Sequence, residues 1–438
     1  MVVAQEILRS GQWLLPTMNG ELYITKPPLY TWLQALLAKL TGSTAPGVLR
    51  LPSTLSALAL LVALFRFVAR HEGRQAAWLA VVVLGTSQLF VLHARNAEIE
   101  MMLTLWCALA LMLVWDHLRL GGRWRLAAAW ACLGLAILTK GPVALLFFVP
   151  PVLVYGVLVE RRAWRLLTWP PGWLICLGVA LPWYLYVWLH VDRAVIDAIL
   201  QRDILAKVHR KGGAPFYSYL GVIAGGFLPW LAVFFLPGRR TLAALRTRTL
   251  EAWLAAGSLV PLVILSLFSA KHGKYALPMF PILAAWTGLR LADWGEQAAP
   301  RARRLFQTTA VVMLAGTLAF HAWLAPVVWK HRHQALPSIV ARLEAETLPV
   351  YAYRARPIQL IYLLGRPVPV VDAEGLAALR RSSRPFLLLA DSRYESDPAL
   401  AGLRQVAHWP VYLKKRRGLG LYRFEPDKPA PVPAPERR

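Results

Sequence analysis

Four short polar segments interrupt an otherwise apolar chain, and each carries residue types that could do chemistry. In Thr25-Lys26-Pro27-Pro28-Leu29 the double proline fixes the backbone, so the Lys26 ammonium is held in place just ahead of an apolar helix. A rigid ammonium at a membrane surface suits a lipid phosphate, and it equally suits bulk headgroups. In His93-Ala94-Arg95-Asn96-Ala97-Glu98-Ile99-Glu100 two carboxylates and an arginine share one short connection. Charged groups near membrane depth are costly and mark functional sites, although pairing of Arg95 with a glutamate at a span end also accounts for them. Glu98 and Glu100 stand two residues apart, so on one helical turn they face different ways and only one is expected in a shared site. Ala270-Lys271-His272-Gly273-Lys274-Tyr275 offers either a basic pocket for an anion or a set of snorkelling side chains. The fourth segment, 190–216, carries Asp192, Asp197, Asp203, Lys207, His209 and Arg210. It is long enough to cover a cavity, or its acids simply balance its bases.

The elements that must position these residues are membrane spans. Of 438 residues, 57% are hydrophobic and 16% charged, with a mean hydropathy of +0.46. An ordinary soluble domain has about 25% charged residues, so both a soluble enzyme and a disordered chain are excluded. About 20 apolar residues cross a bilayer, and ten candidate spans follow: roughly 48–70, 76–93, 97–117, 125–138, 141–159, 172–190, 217–237, 251–270, 274–293 and 305–326. Thr139-Lys140-Gly141-Pro142 reads as a tight turn between two of them. The apolar helix 28–40 is too short to span straight and is expected along the surface.

The net charge of +26, from 49 Lys+Arg against 23 Asp+Glu, would suggest nucleic acid on a soluble fold. Here it is distributed by side. Alternate connections around Arg66–Arg74, Arg119–Arg125, Arg161–Arg165, Arg239–Arg248 and Arg290–Arg304 hold seventeen arginines, whereas Arg95, Lys140, Arg193–Lys211 and Lys271–Lys274 hold nine basic residues. The arginine-rich set is therefore expected in the cytoplasm, with Trp78, Trp124, Trp164, Trp169 and Trp173 near the same span ends. All four polar segments then share the outer face.

Four regions result: an outer loop with an interfacial helix (1–47), a transmembrane domain of about ten spans (48–326), an outer α/β domain (340–425) and a disordered, Pro-rich tail (426–438). The α/β domain is read from β-type runs at Pro349–Tyr353, Val368–Val371, Pro385–Ala390, Val411–Leu413 and Gly420–Phe424, alternating with helical stretches at Ile358–Leu364 and Ala373–Arg380. The fold class is thus mainly α, a polytopic membrane protein with a small C-terminal α/β periplasmic domain. Cys107, Cys132 and Cys176 all fall in apolar runs, and neither a disulfide framework nor a zinc pattern follows from them.

Glu6-Ile7-Leu8-Arg9-Ser10-Gly11-Gln12-Trp13-Leu14-Leu15-Pro16, then Asn19-Gly20, then Lys26-Pro27-Pro28-Leu29 resembles the first outer loop of the lipid A aminoarabinose transferase and protein O-mannosyltransferase superfamily. These are GT-C glycosyltransferases that use polyprenyl-phosphate sugars. Glu100-Met101-Met102-Leu103-Thr104-Leu105-Trp106 is similar to the family's Asp-x-Pro-Leu-Thr-Leu-Phe run. Leu138-Thr139-Lys140-Gly141-Pro142 and Lys274-Tyr275-Ala276-Leu277-Pro278 are similar to two further segments, and the likeness extends from residue 4 to about 290. The resemblance implies that Lys26 contacts the donor phosphate, that Lys271, Lys274 and Tyr275 line the donor cavity, and that Glu100 and Arg95 fall on catalytic positions.

Three departures accompany it. The family's leading membrane helix and Asp-Glu pair, which precede the segment matching Val2–Glu6, have no counterpart, so an incomplete enzyme or a start placed too late is expected. Glu100 stands where Asp is usual. Thr25 occupies the position of a zinc-holding Glu, and no His aligns near Gln201–Arg202, so the zinc site is not carried over. No cofactor is assigned, and a divalent metal is left open.

The expected function is transfer of a sugar from a polyprenyl-phosphate donor to lipid A or another glycan or protein acceptor. It would occur at the periplasmic face of a bacterial inner membrane, with inversion at the anomeric carbon. The alternative is a catalytically inactive or non-enzymatic membrane protein that binds or transports lipid-linked sugars. Transporters are marked by inverted repeats and paired broken helices, and neither is read in the sequence.

Overall fold

The computed structural model describes residues 1–201, 215–227, 230–235, 249–268, 271–297, 300–332, 334–355, 357–410 and 418–426. The chain forms two bodies: one holds Met1, Ile7–Pro16 and Leu22–Leu318, the other Val2–Glu6, Thr17–Glu21 and Ala319–Arg438. The first is helical, as its apolar runs require. Five helices among the described residues are long and apolar enough to cross a membrane: Pro46–Thr86, Ile99–Leu120, Pro170–His190, Leu250–Leu267 and Pro300–Val328.

The first two expected spans are two helices, since the run Pro46–Thr86 breaks at Gly73, whose φ of 89° and ψ of 166° no helix contains. Others are built differently. The run at 141–159 is a 3-10 turn, Pro142–Phe147, followed by the helix Val149–Leu158. The run at 274–293 likewise opens as a 3-10 turn, Gly273–Met279, before the helix Phe280–Gln297. Small residues bring helices together, as at Gly288, where an added Cβ would lie 2.7 Å from the Ala80 backbone nitrogen.

At the arginine-rich ends, charges are paired rather than merely solvated. Buried Asp116 accepts from Arg70 and lies 2.7 Å from His71 Nε2, and Arg119 meets the buried Glu160 at 2.5 Å. Cys107, Cys132 and Cys176 are buried free thiols.

The second body is a five-stranded sheet with helices. Its strands are β3 (Val350–Tyr353), β4 (Val370–Val371), β5 (Phe386–Asp391), β6 (Arg404–Trp409) and β7 (Leu419–Phe424), ordered β4-β3-β5-β7-β6. The three strands β4, β3 and β5 are parallel, linked by the helices Ile358–Leu364 and Ala373–Arg381, whereas β7 is antiparallel to both β5 and β6. The strand expected at 411–413 and the tail from 427 onward lie outside the described residues, and β6 is an edge strand that the sequence reading did not contain.

Within residues 1–47 the helices Val2–Ser10 and Leu29–Thr41 flank a small hairpin. Two short strands, β1 (Thr17–Met18) and β2 (Glu21–Leu22), flank a turn at Asn19 and Gly20 with φ of 62° and 78°. Within the second body, buried Glu6 accepts from Thr17 Oγ1 (2.5 Å), Asn19 N (2.7 Å) and Gly20 N (3.2 Å). The Asn19 side chain then pairs both ways with the Val368 backbone, at 2.7 Å each. The turn therefore anchors an N-terminal segment onto the C-terminal sheet domain.

Candidate functional site

Three stretches of the helical body deliver the site. The first is the segment leading to Lys26, pinned by indole donors: Trp32 Nε1 donates to Trp13 O (2.6 Å) and Trp183 Nε1 to Leu14 O (2.9 Å). Pro27 and Pro28 are buried, and Pro28 caps the helix Leu29–Thr41. The expected interfacial helix at 28–40 therefore starts directly behind Lys26.

The second stretch is the connection Arg95–Glu98, held from the side by the helix at Pro46. Thr54 Oγ1 donates to Ala94 O and Ser53 Oγ to Glu98 O, both at 3.0 Å, and Ser53 in turn meets the Tyr30 hydroxyl at 2.7 Å. Glu98 is the N-cap of the helix Ile99–Leu120, with extended φ and ψ of −129° and 144°. Because it lies outside the helix, the helical-face rule does not apply to the pair. Glu98 and Glu100 both reach Lys274, at 3.5 and 3.0 Å, which corrects the expectation that only one could enter a shared site.

The third stretch ends the helix Arg123–Lys140. Gly141 follows with φ 92° and ψ −170°, a region essentially confined to glycine, where other residues cost about 1–3 kcal/mol. Gly141→Ala should therefore lower thermal stability by that amount. Space is not the obstacle, since an added Cβ would lie 3.6 Å from the Tyr184 hydroxyl. An unchanged melting temperature in detergent would contradict this.

The first and third stretches frame a cavity of about 530 Å³ whose wall includes Thr25, Lys26, Lys140, Trp183, Tyr184 and Tyr275, whereas Glu98, Glu100 and Lys274 lie behind Lys140 and off the wall. Lys140 was read as part of a turn, but its ammonium lies 3.3 Å from Glu100 Oε1 and 4.4 Å from the Tyr275 ring centroid. The signal for it was available: a lysine closing an apolar helix needs a buried counter-ion. Glu100 is that ion, with a side chain only 3% exposed, and its Oε1 is shared by Lys140 and Lys274. Its Oε2 is buried and has no hydrogen-bond partner among the described residues. Glu98 is the open carboxylate of the two, 32% exposed, with buried His93 at 3.2 Å. Ahead of the spanning helix, the hydrogen bond from His93 and the charges of His93 and Lys274 hold its carboxyl at about 2.

Not every expected residue joins this group. Arg95 is exposed at the C-cap of the helix Gln88–Ala94 and is absent from the cavity wall. Lys271 donates to Phe268 O at 2.7 Å and also does not line the cavity. Of the fourth segment, Asp192 caps the helix Arg193–Leu200 through Ala194 N, and Ile196 touches the cavity. Asp203, Lys207, His209 and Arg210 lie outside the described residues. Among the described residues no three His, Cys, Asp or Glu side chains converge as metal ligands.

Residues 25–188 match the family described as dolichyl-phosphate-mannose-protein mannosyltransferase. The chain is 28% identical over 459 residues to an undecaprenyl phosphate-alpha-4-amino-4-deoxy-L-arabinose arabinosyl transferase of Pectobacterium carotovorum, covering 96% of this chain and 79% of that one. Its identity to the protein of the same name from Erwinia tasmaniensis is 29%, covering 68% of this chain and 55% of the relative. A protein of Aquifex aeolicus is 28% identical over 74% of this chain, which spans 65% of that relative's length. The fold is that of the crystal structure of ArnT from Cupriavidus metallidurans bound to undecaprenyl phosphate, with a TM-score of 0.73 at 18% identity, over 96% of this chain and 92% of that one.

Proposed function

The chain belongs to the GT-C glycosyltransferase superfamily, and on that premise we propose that it transfers a sugar from a polyprenyl-phosphate donor to a lipid, glycan or protein acceptor. The observation that carries this reading is the convergence of Lys26, Lys140 and Tyr275, from three distant segments, on one cavity. The relatives are named for undecaprenyl phosphate-linked sugar, and lipid A is among the acceptors that fit. The segments that build the cavity lie on the side with fewer arginines, which supports a periplasmic site on a bacterial inner-membrane protein.

In the transfer, the acceptor oxygen bonds to the anomeric carbon as that carbon's bond to the phosphate oxygen breaks. The electron pair leaves with the polyprenyl phosphate. Lys26 and Lys140 face the departing phosphate, where fixed cations stabilise charge without reorganisation. Lys274, on the other side of Glu100, completes the basic set. Glu98, the accessible carboxylate, orients an acceptor hydroxyl and takes its proton. His93 and Lys274 hold it below the usual carboxylate range, so it is ionised and able to accept that proton. Glu100 positions the two lysines. Direct displacement of this kind inverts the anomeric centre.

The reading is tested by mass spectrometry of envelope lipids, glycans and proteins from a strain lacking the gene. Loss of one sugar modification, restored by the wild-type gene, is the expected result. An unchanged profile would count against transfer.

A further inference from the structure

We infer that His93 is a positioning residue of the transfer, holding the Glu98 carboxylate by one oxygen so that the other faces the acceptor hydroxyl, an inference that rests on the transfer reading above. The two oxygens of Glu98 have different neighbours. Oε2 lies 3.2 Å from His93 Nδ1 and 3.5 Å from Lys274 Nζ. Oε1 meets the Asn96 side-chain amide at 3.4 Å, a long bond that an incoming hydroxyl can displace. Oε2 is therefore the anchor and Oε1 the oxygen that takes the proton. As the acceptor O–H bond breaks, its proton passes to Oε1 and its electron pair forms the bond to the anomeric carbon. His93 keeps its own proton throughout.

Burial suits His93 to this task. It stands in the last turn of the helix Gln88–Ala94 with its side chain 6% exposed, and Nδ1 is itself buried. An N–H aimed at a carboxylate makes a charge-assisted bond, stronger than one between neutral groups. The backbone is fixed on both sides by one helix, through Thr54 at Ala94 O and Ser53 at Glu98 O. Imidazole and carboxylate are thus presented to each other by a common support. The titratable groups facing Glu98 are His93, Lys274 of the turn Gly273–Met279, Glu100 of the helix Ile99–Leu120 and Tyr30 of the helix Leu29–Thr41. Among them the hydrogen bond from His93 does most to hold the carboxyl below its usual range. Without the imidazole, Glu98 keeps its proton to higher pH.

The test uses the full chain in nanodiscs and the deletion strain described above, with wild type, His93→Leu and His93→Asn. Leucine removes the donor, whereas the asparagine amide nitrogen stands where Nδ1 stood. His93→Leu should slow restoration of the sugar modification about tenfold, while undecaprenyl phosphate binding stays within about twofold. Infrared titration of the carboxyl band that Glu98→Gln removes should show Glu98 ionising about one pH unit higher. His93→Asn should recover most of the rate. A histidine that only fills space would weaken undecaprenyl phosphate binding along with transfer, and asparagine would fare no better than leucine. Wild-type transfer in His93→Leu, an unmoved Glu98 titration or equal loss in the two variants would overturn the inference while leaving transfer intact. A deletion strain that loses no modification would instead overturn the transfer reading, and the inference with it.

Discussion

Lys140→Ala should cost about 3 kcal/mol of stability and about a hundredfold in affinity for the lipid-linked donor. Breaking a buried pair by removing one partner typically costs about 3–5 kcal/mol, because a charge is left uncompensated. Glu100, 3% exposed, would be that charge. The low end applies because Lys274 remains 3.0 Å from the same oxygen. Stability and affinity can be separated. A Lys140→Ala/Glu100→Ala protein removes the stranded carboxylate, so it should recover much of the thermal stability and none of the donor affinity. Thermal unfolding in detergent alongside a donor titration reads both. Wild-type stability and affinity in Lys140→Ala would show that the buried pair has no part in the site.

Glu98→Gln should slow sugar transfer about hundredfold while leaving the affinity for undecaprenyl phosphate within a factor of two. Proton transfer by a positioned side chain contributes about 10²- to 10⁴-fold. The low end applies because Glu98 is held below the usual carboxylate range and is a weakened base. Glu100→Gln should behave differently. With the anion between them neutralised, Lys140 and Lys274 lose their fixed placement, so donor affinity falls together with transfer. Single-turnover transfer measured beside equilibrium binding separates the two carboxylates. If Glu98→Gln weakens donor binding as much as Glu100→Gln does, the division of labour between them is wrong.

The membrane class and the polar segments of the site were legible because hydropathy and charge report burial directly. What hydropathy does not see is backbone conformation. The 3-10 turns Pro142–Phe147 and Gly273–Met279 depend on φ and ψ. The same blindness hid the site's geometry. Glu98 and Glu100 were kept apart by helical spacing, yet Glu98 is extended at the N-cap, so both converge on Lys274. Lys140 was counted as a loop charge because its partner lies forty residues earlier, on another helix. Edge strand β6, Arg-Gln-Val-Ala-His-Trp, is too polar to stand out by composition. The Asn19-Gly20 turn was noticed as a sequence likeness, but its tie to Val368, 349 residues away, is a tertiary fact that local pattern does not contain.

The central claim is that Lys26, fixed before Pro27 and Pro28, grips a polyprenyl phosphate in the cavity it lines. Its most direct test is a titration of undecaprenyl phosphate into the full chain in nanodiscs, wild type against Lys26→Ala. A charge-assisted contact is worth about 1.5–3 kcal/mol. Saturable binding to the wild type, weakened about 10- to 100-fold by Lys26→Ala, is the predicted result. No saturable binding, or equal binding by the two proteins, would contradict it.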